Sequence, residues 1–147
     1  MSVISIVSVT LILVNQSPTI GQTQSGRGIL FEVHRSPACS CCGQYEDYLR
    51  ASGVIVRSVE MSEIASFKDR LGIPREMWSC HTSIVEGYYV EGHVPLEAVE
   101  KLLDERPAIR GIALPSMPSG SPGMGGVRDK PLKVFSIDGG IEVFMIS

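Results

Sequence analysis

Residues 28–53 read GILFEVHRSPACSCCGQYEDYLRASG and join a strand-like run, a thiol-rich turn and a helix-like run. The alternation of Ile29, Phe31 and Val33 predicts a first β-strand. After the turn, aromatic and apolar residues recur at helical spacing as far as Gly53, a residue type that commonly ends a helix. We therefore predict a strand, a turn and a helix over residues 43–52.

The turn in this unit holds Cys39, Cys41 and Cys42, three thiols within four residues. Backbone N–H groups and the positive end of a helix dipole favour the thiolate, which is the form that attacks disulfides and binds metals. Cys39 and Cys42 have the Cys-x-x-Cys spacing of a redox pair. Because redox exchange needs only two sulfurs, the third cysteine favours a site for a soft metal such as Cu(I) or zinc.

The rest of the chain continues the alternation of strands and helices. Residues 54–59 predict a second strand, a helix follows Ser62 and ends at Gly72 and Pro74, runs 82–85 and 88–91 form a hairpin, and a last helix lies between Pro95 and Pro107. With right-handed crossovers, this order predicts an α/β, thioredoxin-like fold, a small mixed sheet flanked by helices. In such a fold the chemistry belongs at the first strand–helix junction.

A Gly-, Pro-, Ser- and Met-rich stretch, residues 114–126, has no continuous apolar face. We predict an ordered loop or a mobile flap there, followed by a C-terminal hairpin of residues 134–137 and 141–146. Met117 and Met124 on this loop offer thioether sulfur, which favours Cu(I) over zinc. The alternative is that both methionines fill gaps over the core.

Composition limits the class of protein. With 147 residues, 44% of them hydrophobic, the chain has room for one globular domain, and its formal charge of −3 and lack of clustered Lys and Arg exclude a nucleic-acid partner.

The apolar run 3–14 is shorter than the roughly 20 residues of a membrane-spanning helix and is typical of a secretory signal, although no Lys or Arg precedes it. We predict a signal segment over 1–26 and a metal-binding domain over 27–147, exported, with no stable membrane span after cleavage. An uncleaved anchor, a misplaced start or a buried strand are the alternatives.

Cys80 and His81 stand directly before the hairpin. In a thioredoxin-like layout this segment faces the Cys-x-x-Cys turn, so the chain would bring four thiols and an imidazole together. Two interpretations stay open, a metal site or structural disulfides such as Cys39 with Cys42 and Cys41 with Cys80. We expect His93 to shape the turn before the last helix and His34 to have no ligand role, and we interpret Glu32, Glu46 and Asp47 as a solvated face.

The chain resembles the CopG-like copper-resistance family of exported thioredoxin-like proteins with a Cys-x-Cys-Cys motif, formerly a domain of unknown function. The matching stretches are Ser36 to Gly43, Leu71 to Pro74, Ser79 to Thr82, Val90 to Pro95, Leu114 to Pro118 and Gly120 to Met124. The resemblance implies a periplasmic copper-binding protein that uses Cys39, Cys41, Cys42 and Cys80, then His81, with Met117 and Met124 less secure. Ser40 stands where the family usually has glycine and Tyr45 where it usually has tryptophan, and neither change removes a sulfur.

Three functional hypotheses follow. The first is a Cu(I)-binding protein in copper homeostasis and resistance, with copper ions and other copper-handling proteins as its partners. The second is a thiol-disulfide or copper oxidoreductase in which Cys39 is the nucleophile and Cys42 the resolving thiol. The third is a zinc site built from three cysteines and His81.

Overall fold

The computed structural model describes residues 28–138 and 140–147 of the chain. In this part of the chain seven strands and three α-helices form a mixed α/β fold, with one short 3₁₀ segment. The elements are β1 (Leu30–Arg35), α1 (Ser40–Ala51), β2 (Ile55–Glu60), α2 (Ile64–Arg70), a 3₁₀ turn (Arg75–Met77), β3 (His81–Val85), β4 (Tyr88–Glu91), α3 (Leu96–Glu105), β5 (Gly111–Ala113), β6 (Lys133–Ile137) and β7 (Ile141–Ile146).

All seven strands belong to one sheet, in the order β2-β1-β3-β4-β5-β6-β7. Strand β1 runs parallel to β2 and antiparallel to β3, and β4 runs parallel to β5. The register of the antiparallel pair sets Arg35 opposite His81. The carboxyl end of β1, which leads into the cysteine-rich turn, therefore lies beside the amino end of β3, which follows Cys80.

The larger of two apolar cores lies between the sheet and helices α1 and α3. Helix α1 buries Tyr45 and Leu49, and α3 buries Val99 and Leu102. These side chains join Phe31 and its neighbours on the strands in one apolar cluster. Helix α1 is therefore fixed on the sheet, and the turn at its start is fixed with it.

The predicted order of strand, helix, strand, helix, hairpin and helix is the order observed, with two differences. Helix α1 begins at Ser40 rather than at residue 43, so Cys41 and Cys42 lie in its first turn. Strand β5, only three residues long, was not predicted because so short a run shows no clear periodicity. Gly111 is the first residue of β5, and a Cβ there would lie 1.9 Å from the carbonyl oxygen of Tyr89, too close for any other residue type.

The Gly-, Pro-, Ser- and Met-rich stretch is a loop that packs against α1. Gly123 has a φ of +71°, and a Cβ on it would lie 2.5 Å from the backbone nitrogen of Tyr45. A turn closed by the Met124 N–H donating to the Ser121 carbonyl, at 2.8 Å, shapes this part of the loop. The loop is thus seated directly over the helix that carries the cysteines.

The predicted signal segment, residues 1–26, lies outside the described residues. Among the helices that the structure describes, none is long and apolar enough to cross a membrane.

Candidate metal centre

The four cysteines of the chain meet where the start of α1 lies beside the start of β3. The sulfur atoms of Cys39, Cys41, Cys42 and Cys80 all lie within 4.8 Å of one another. Cys39 and Cys42 form a disulfide, whereas Cys41 and Cys80 are free thiols. The structure therefore brings Cys80 to the turn as the sequence predicts, and only the first of the two suggested disulfides is present.

The turn side of this cluster is built by local structure. Cys39 occupies the N-cap position of α1 with an extended backbone, and its N–H donates to the Ser36 carbonyl at 3.1 Å. The Cys41 sulfur lies 3.5 Å from that of Cys39. Cys42 is fully buried, and Cys39 and Cys41 are partly exposed. A helix start presents free N–H groups and a positive dipole end, which suits thiolate chemistry at this place.

Cys80 also belongs to a second group of donors, with His81 and His93. Its sulfur lies 3.3 Å from Nδ1 of His81 and 3.1 Å from Nε2 of His93. One ligand atom from each of these three residues lies within 4.8 Å of the other two. Because Cys80 is a member of both groups, four sulfurs and two imidazoles form a continuous set of soft donors.

His93 is held in one orientation by the loop. Its Nδ1 lies 2.7 Å from the carbonyl oxygen of Pro122. A carbonyl only accepts hydrogen bonds, so we assign the proton of neutral His93 to Nδ1. The lone pair of Nε2 then points at the Cys80 sulfur. A second hydrogen bond of this kind is what fixes the tautomer of metal-binding histidines.

His81 and His93 pack against the ring of Tyr45, with ring centroids 4.9 and 5.0 Å away. The Tyr45 hydroxyl donates to the Val94 carbonyl at 2.8 Å, which ties α1 to the segment that follows His93. His81 is fully buried, and its Nε2 has no hydrogen-bond partner within the described parts of the chain. A tyrosine thus supports both imidazoles.

Burial controls the protonation of these groups. It lowers the pKa of His81 well below its ordinary 6.5, and Coulombic interaction with His93, Lys68 and Arg35 adds to the effect. Burial also lowers the pKa of His93, against the hydrogen bond to Pro122. Both imidazoles are consequently neutral near pH 7 and keep a lone pair for a ligand.

The Cys80 thiol is shifted in the opposite sense. Burial, and then the neighbouring Cys41, raises its pKa to about 12. The thiol is therefore protonated near neutral pH, and a metal ion must displace that proton on binding. Sulfur and imidazole donors suit Cu(I) or zinc. The donor set fits a soft metal once the Cys39–Cys42 disulfide is reduced.

The other residues considered from the sequence lie elsewhere or have other contacts. His34 Nε2 donates a 2.8 Å hydrogen bond to the Glu32 carboxylate, and the ring stacks on Phe67 with centroids 4.4 Å apart. His34 lies outside both donor groups. The solvated-face interpretation was wrong for Glu46, which is 4% exposed and paired with Arg35 and Arg50.

Met117 and Met124 stay predictions as ligands. Met117 is 37% exposed, with a left-handed backbone at φ +42°, and Met124 is partly buried. The contact that joins their loop to the centre is the Pro122 carbonyl on His93.

His93 is the donor that the sequence reasoning assigned to turn shape. A signal for it was present, since a hairpin turning at Glu86 and Gly87 pairs Thr82 with Glu91. Continuing that register by two residues sets Cys80 opposite His93.

This fold and these donors define the class, a mixed α/β protein with a candidate soft-metal centre at one end of its sheet. Residues 77–124 match a family described as protein of unknown function, DUF411. Two solved structures of copper resistance protein CopG, Form 2 and Form 1, are each 38% identical to the chain and cover 81% of it. The chain covers 98% and 97% of them, with TM-scores of 0.75 and 0.74. The chain belongs to the CopG copper-resistance family. A comparison with curated protein sequences finds no match.

Proposed function

We propose that the protein binds Cu(I) through its reduced cysteines, in a role in copper homeostasis and resistance. The observation that carries the proposal is the approach of four sulfur atoms within 4.8 Å of one another at the end of the sheet. Thiolates favour soft metals, of which Cu(I) and zinc are the candidates here. Membership in a copper-resistance family supports the same metal.

The proposed ligands are Cys39, Cys41, Cys42 and Cys80, with nitrogen from His81 and His93. Three cysteines within four residues cannot all aim at one ion without strain, so we propose several ions bridged by sulfur. Cys80 is the natural bridging ligand because it belongs to both donor groups. Met117 and Met124 are proposed as outer thioether ligands from the loop above α1.

We also propose that the protein acts after export, in the periplasm, with residues 1–26 as its signal segment and 27–147 as its functional domain. The sheet order β2-β1-β3-β4, with a helix after each of β1, β2 and β4, supports describing this part of the domain as thioredoxin-like. In an oxidising compartment a bound metal would keep the thiols from forming disulfides.

The test is anaerobic loading of the fully reduced, metal-free protein with Cu(I), followed by a count of bound copper ions per chain. We expect more than one ion. The matched control is the same protein with the Cys39–Cys42 disulfide intact, which should bind fewer ions because two sulfurs are withdrawn. Competition with zinc separates the third hypothesis, since a zinc site would retain zinc against Cu(I). A reduced protein that binds no copper would overturn the proposal.

The second candidate function is a thiol or copper oxidoreductase, and the Cys39–Cys42 disulfide is the observation that favours it. In such a reaction the Cys39 and Cys42 thiols lose two electrons and two protons and become the disulfide. The electrons reduce either two Cu(II) ions to Cu(I) or one disulfide of a partner protein to two thiols.

Two serine substitutions separate the enzyme from the binding protein. If the redox role is distinct, Cys39→Ser abolishes reductase activity, whereas Cys41→Ser mainly changes copper binding. Equal loss of both properties in both variants would contradict a separate redox role.

A further inference from the structure

A buried ion pair contacts the segment that carries Cys80. Lys68 from α2 and Glu91 at the end of β4 form it, with side chains 2% and 0% exposed. Lysine and glutamate are almost never buried to this extent unless they are paired. Neither belongs to the donor groups of the metal centre. The remaining contacts of the pair show what it holds.

The Glu91 carboxylate binds the chain on both sides of Cys80 and His81. Its Oε1 accepts the backbone N–H of Ser79 at 2.6 Å, and its Oε2 accepts the hydroxyl of Thr82 at 2.5 Å. Lys68 donates to the same Oε1 and, at 3.2 Å, to the Ser79 carbonyl. Both backbone polar groups of Ser79 and the side chain of Thr82 are therefore fixed by one ion pair.

We propose that Lys68 and Glu91 are positioning residues that hold the Cys80–His81 segment against the cysteine turn in the geometry that binds Cu(I). The inference rests on the proposed function, because it assigns these residues to that same site. The hydrogen bonds go to the two residues that flank the ligands, so loosening them changes where the Cys80 sulfur and the His81 ring point. Groups that orient metal ligands typically affect affinity by about 10–100-fold when they are removed.

The first test uses Thr82, because substituting Glu91 itself risks unfolding the protein. Thr82→Val keeps the shape of the side chain and removes the hydroxyl that donates to Glu91. We expect Cu(I) affinity to fall by about 10–100-fold. Thr82→Ser restores the hydroxyl and should restore the affinity. The matched control is Ser58→Ala, which removes a 2.7 Å hydroxyl donor from a different buried carboxylate, that of Glu46, and should leave Cu(I) affinity unchanged.

The second test needs no metal. In a Cys39→Ser/Cys42→Ser background, oxidised glutathione can close a Cys41–Cys80 disulfide, with two protein thiols oxidised and two molecules of glutathione released. The equilibrium constant reports how closely Cys80 is held to Cys41. Adding Thr82→Val should lower it by roughly tenfold or more, the size expected for losing a hydrogen bond to a charged group. Adding Ser58→Ala should leave it unchanged.

The proposal is overturned if Thr82→Val matches the parent in both measurements, if Thr82→Ser fails to rescue, or if Ser58→Ala has the same effect as Thr82→Val. A parent protein that binds no Cu(I) would end the proposed function. The disulfide equilibrium would still decide whether the pair positions Cys80.

Discussion

The two sides of the sulfur cluster are held by different means. On the turn side, Cys39, Cys41 and Cys42 lie within four residues and are placed by the start of a single helix, with Cys39 and Cys41 partly exposed and Cys42 buried. On the strand side, Cys80, His81 and His93 are held by contacts with groups from α1, α2, β4 and the loop of residues 114–126. The turn side depends on local structure, and the strand side depends on a network of long-range polar contacts. Substitutions on the two sides should therefore differ in their effects on Cu(I) affinity and on the free energy of unfolding.

The largest expected effect comes from removing the sulfur that joins the two sides. Cys80→Ala leaves the turn cysteines without their partner and the two histidines without the donor between them. We expect Cu(I) affinity to fall by more than about 100-fold, beyond the range for residues that only orient ligands. Competition with a Cu(I) chelator measures it. Retention of most of the affinity would mean that the turn alone is the site.

The next effect is on stability rather than binding. Lys68→Met leaves the Glu91 carboxylate buried without its cation, which should lower the free energy of unfolding by about 3–5 kcal/mol. Urea denaturation of the reduced, metal-free protein measures this loss. The control is Arg75→Ala, which breaks an exposed ion pair with Asp69 and should cost no more than about 1 kcal/mol. Similar losses in the two variants would show that the buried ion pair contributes no more to the free energy of unfolding than the exposed one.

The strand side should also make stability depend on pH. Burial lowers the pKa of His81 and His93 below 6.5 in the folded protein, so below that pH the unfolded chain binds more protons than the folded one. The contribution of the two histidines to the free energy of unfolding is therefore fully present above pH 6.5 and is lost as the pH falls below it. The free energy of unfolding then falls by at most about 1.4 kcal/mol per pH unit for each histidine.

Urea denaturation of the metal-free protein at pH 7.5 and pH 5.5 tests this dependence. His93→Gln, which cannot take up the proton, should show a smaller loss between the two values. Equal dependence in the parent and the variant would assign the loss to other groups.

The smallest effect expected is that of Tyr45→Phe. The substitution keeps the ring against both imidazoles and removes the hydrogen bond to Val94, so it should cost about 1 kcal/mol of stability. Cu(I) affinity should change little, because the ring contacts remain. Thermal unfolding and chelator competition on one preparation test both points. A loss of affinity as large as that of Cys80→Ala would show that the hydroxyl, and not the ring, supports the histidines.

Much of the turn side was predictable. The alternation of Ile29, Phe31 and Val33, the cysteine spacing and Gly53 predicted the first strand, turn and helix, because each signal is local. The helix start was placed three residues late, at 43 rather than at Ser40, since Cys39 caps the helix without a side-chain hydrogen bond that sequence rules recognise. Strand β5 was missed because three residues, 111–113, gain their strand character from pairing with β4.

The strand side was predictable only in part. The order of strands and helices predicted that Cys80 and His81 lie near the cysteine turn. The register of the hairpin, which sets Cys80 opposite His93, was sufficient to predict His93 as a further donor. Nothing in the sequence around Lys68 or Glu91 shows that they are paired, because the two residues are 23 positions apart and come from different elements. The burial of Glu46 was not predictable for the same reason, because its partner Arg35 belongs to a different element, strand β1.

The amino-acid sequence by itself determined the order of the elements and the thiol-rich helix start, because periodicity, turn residues and cysteine spacing act over a few neighbouring positions. Only the tertiary structure decided which nitrogen of His93 faces the Cys80 sulfur and which carboxylate binds Ser79 and Thr82. Those outcomes depend on burial and on hydrogen bonds between distant segments, and both arise only when the sheet and its helices are assembled.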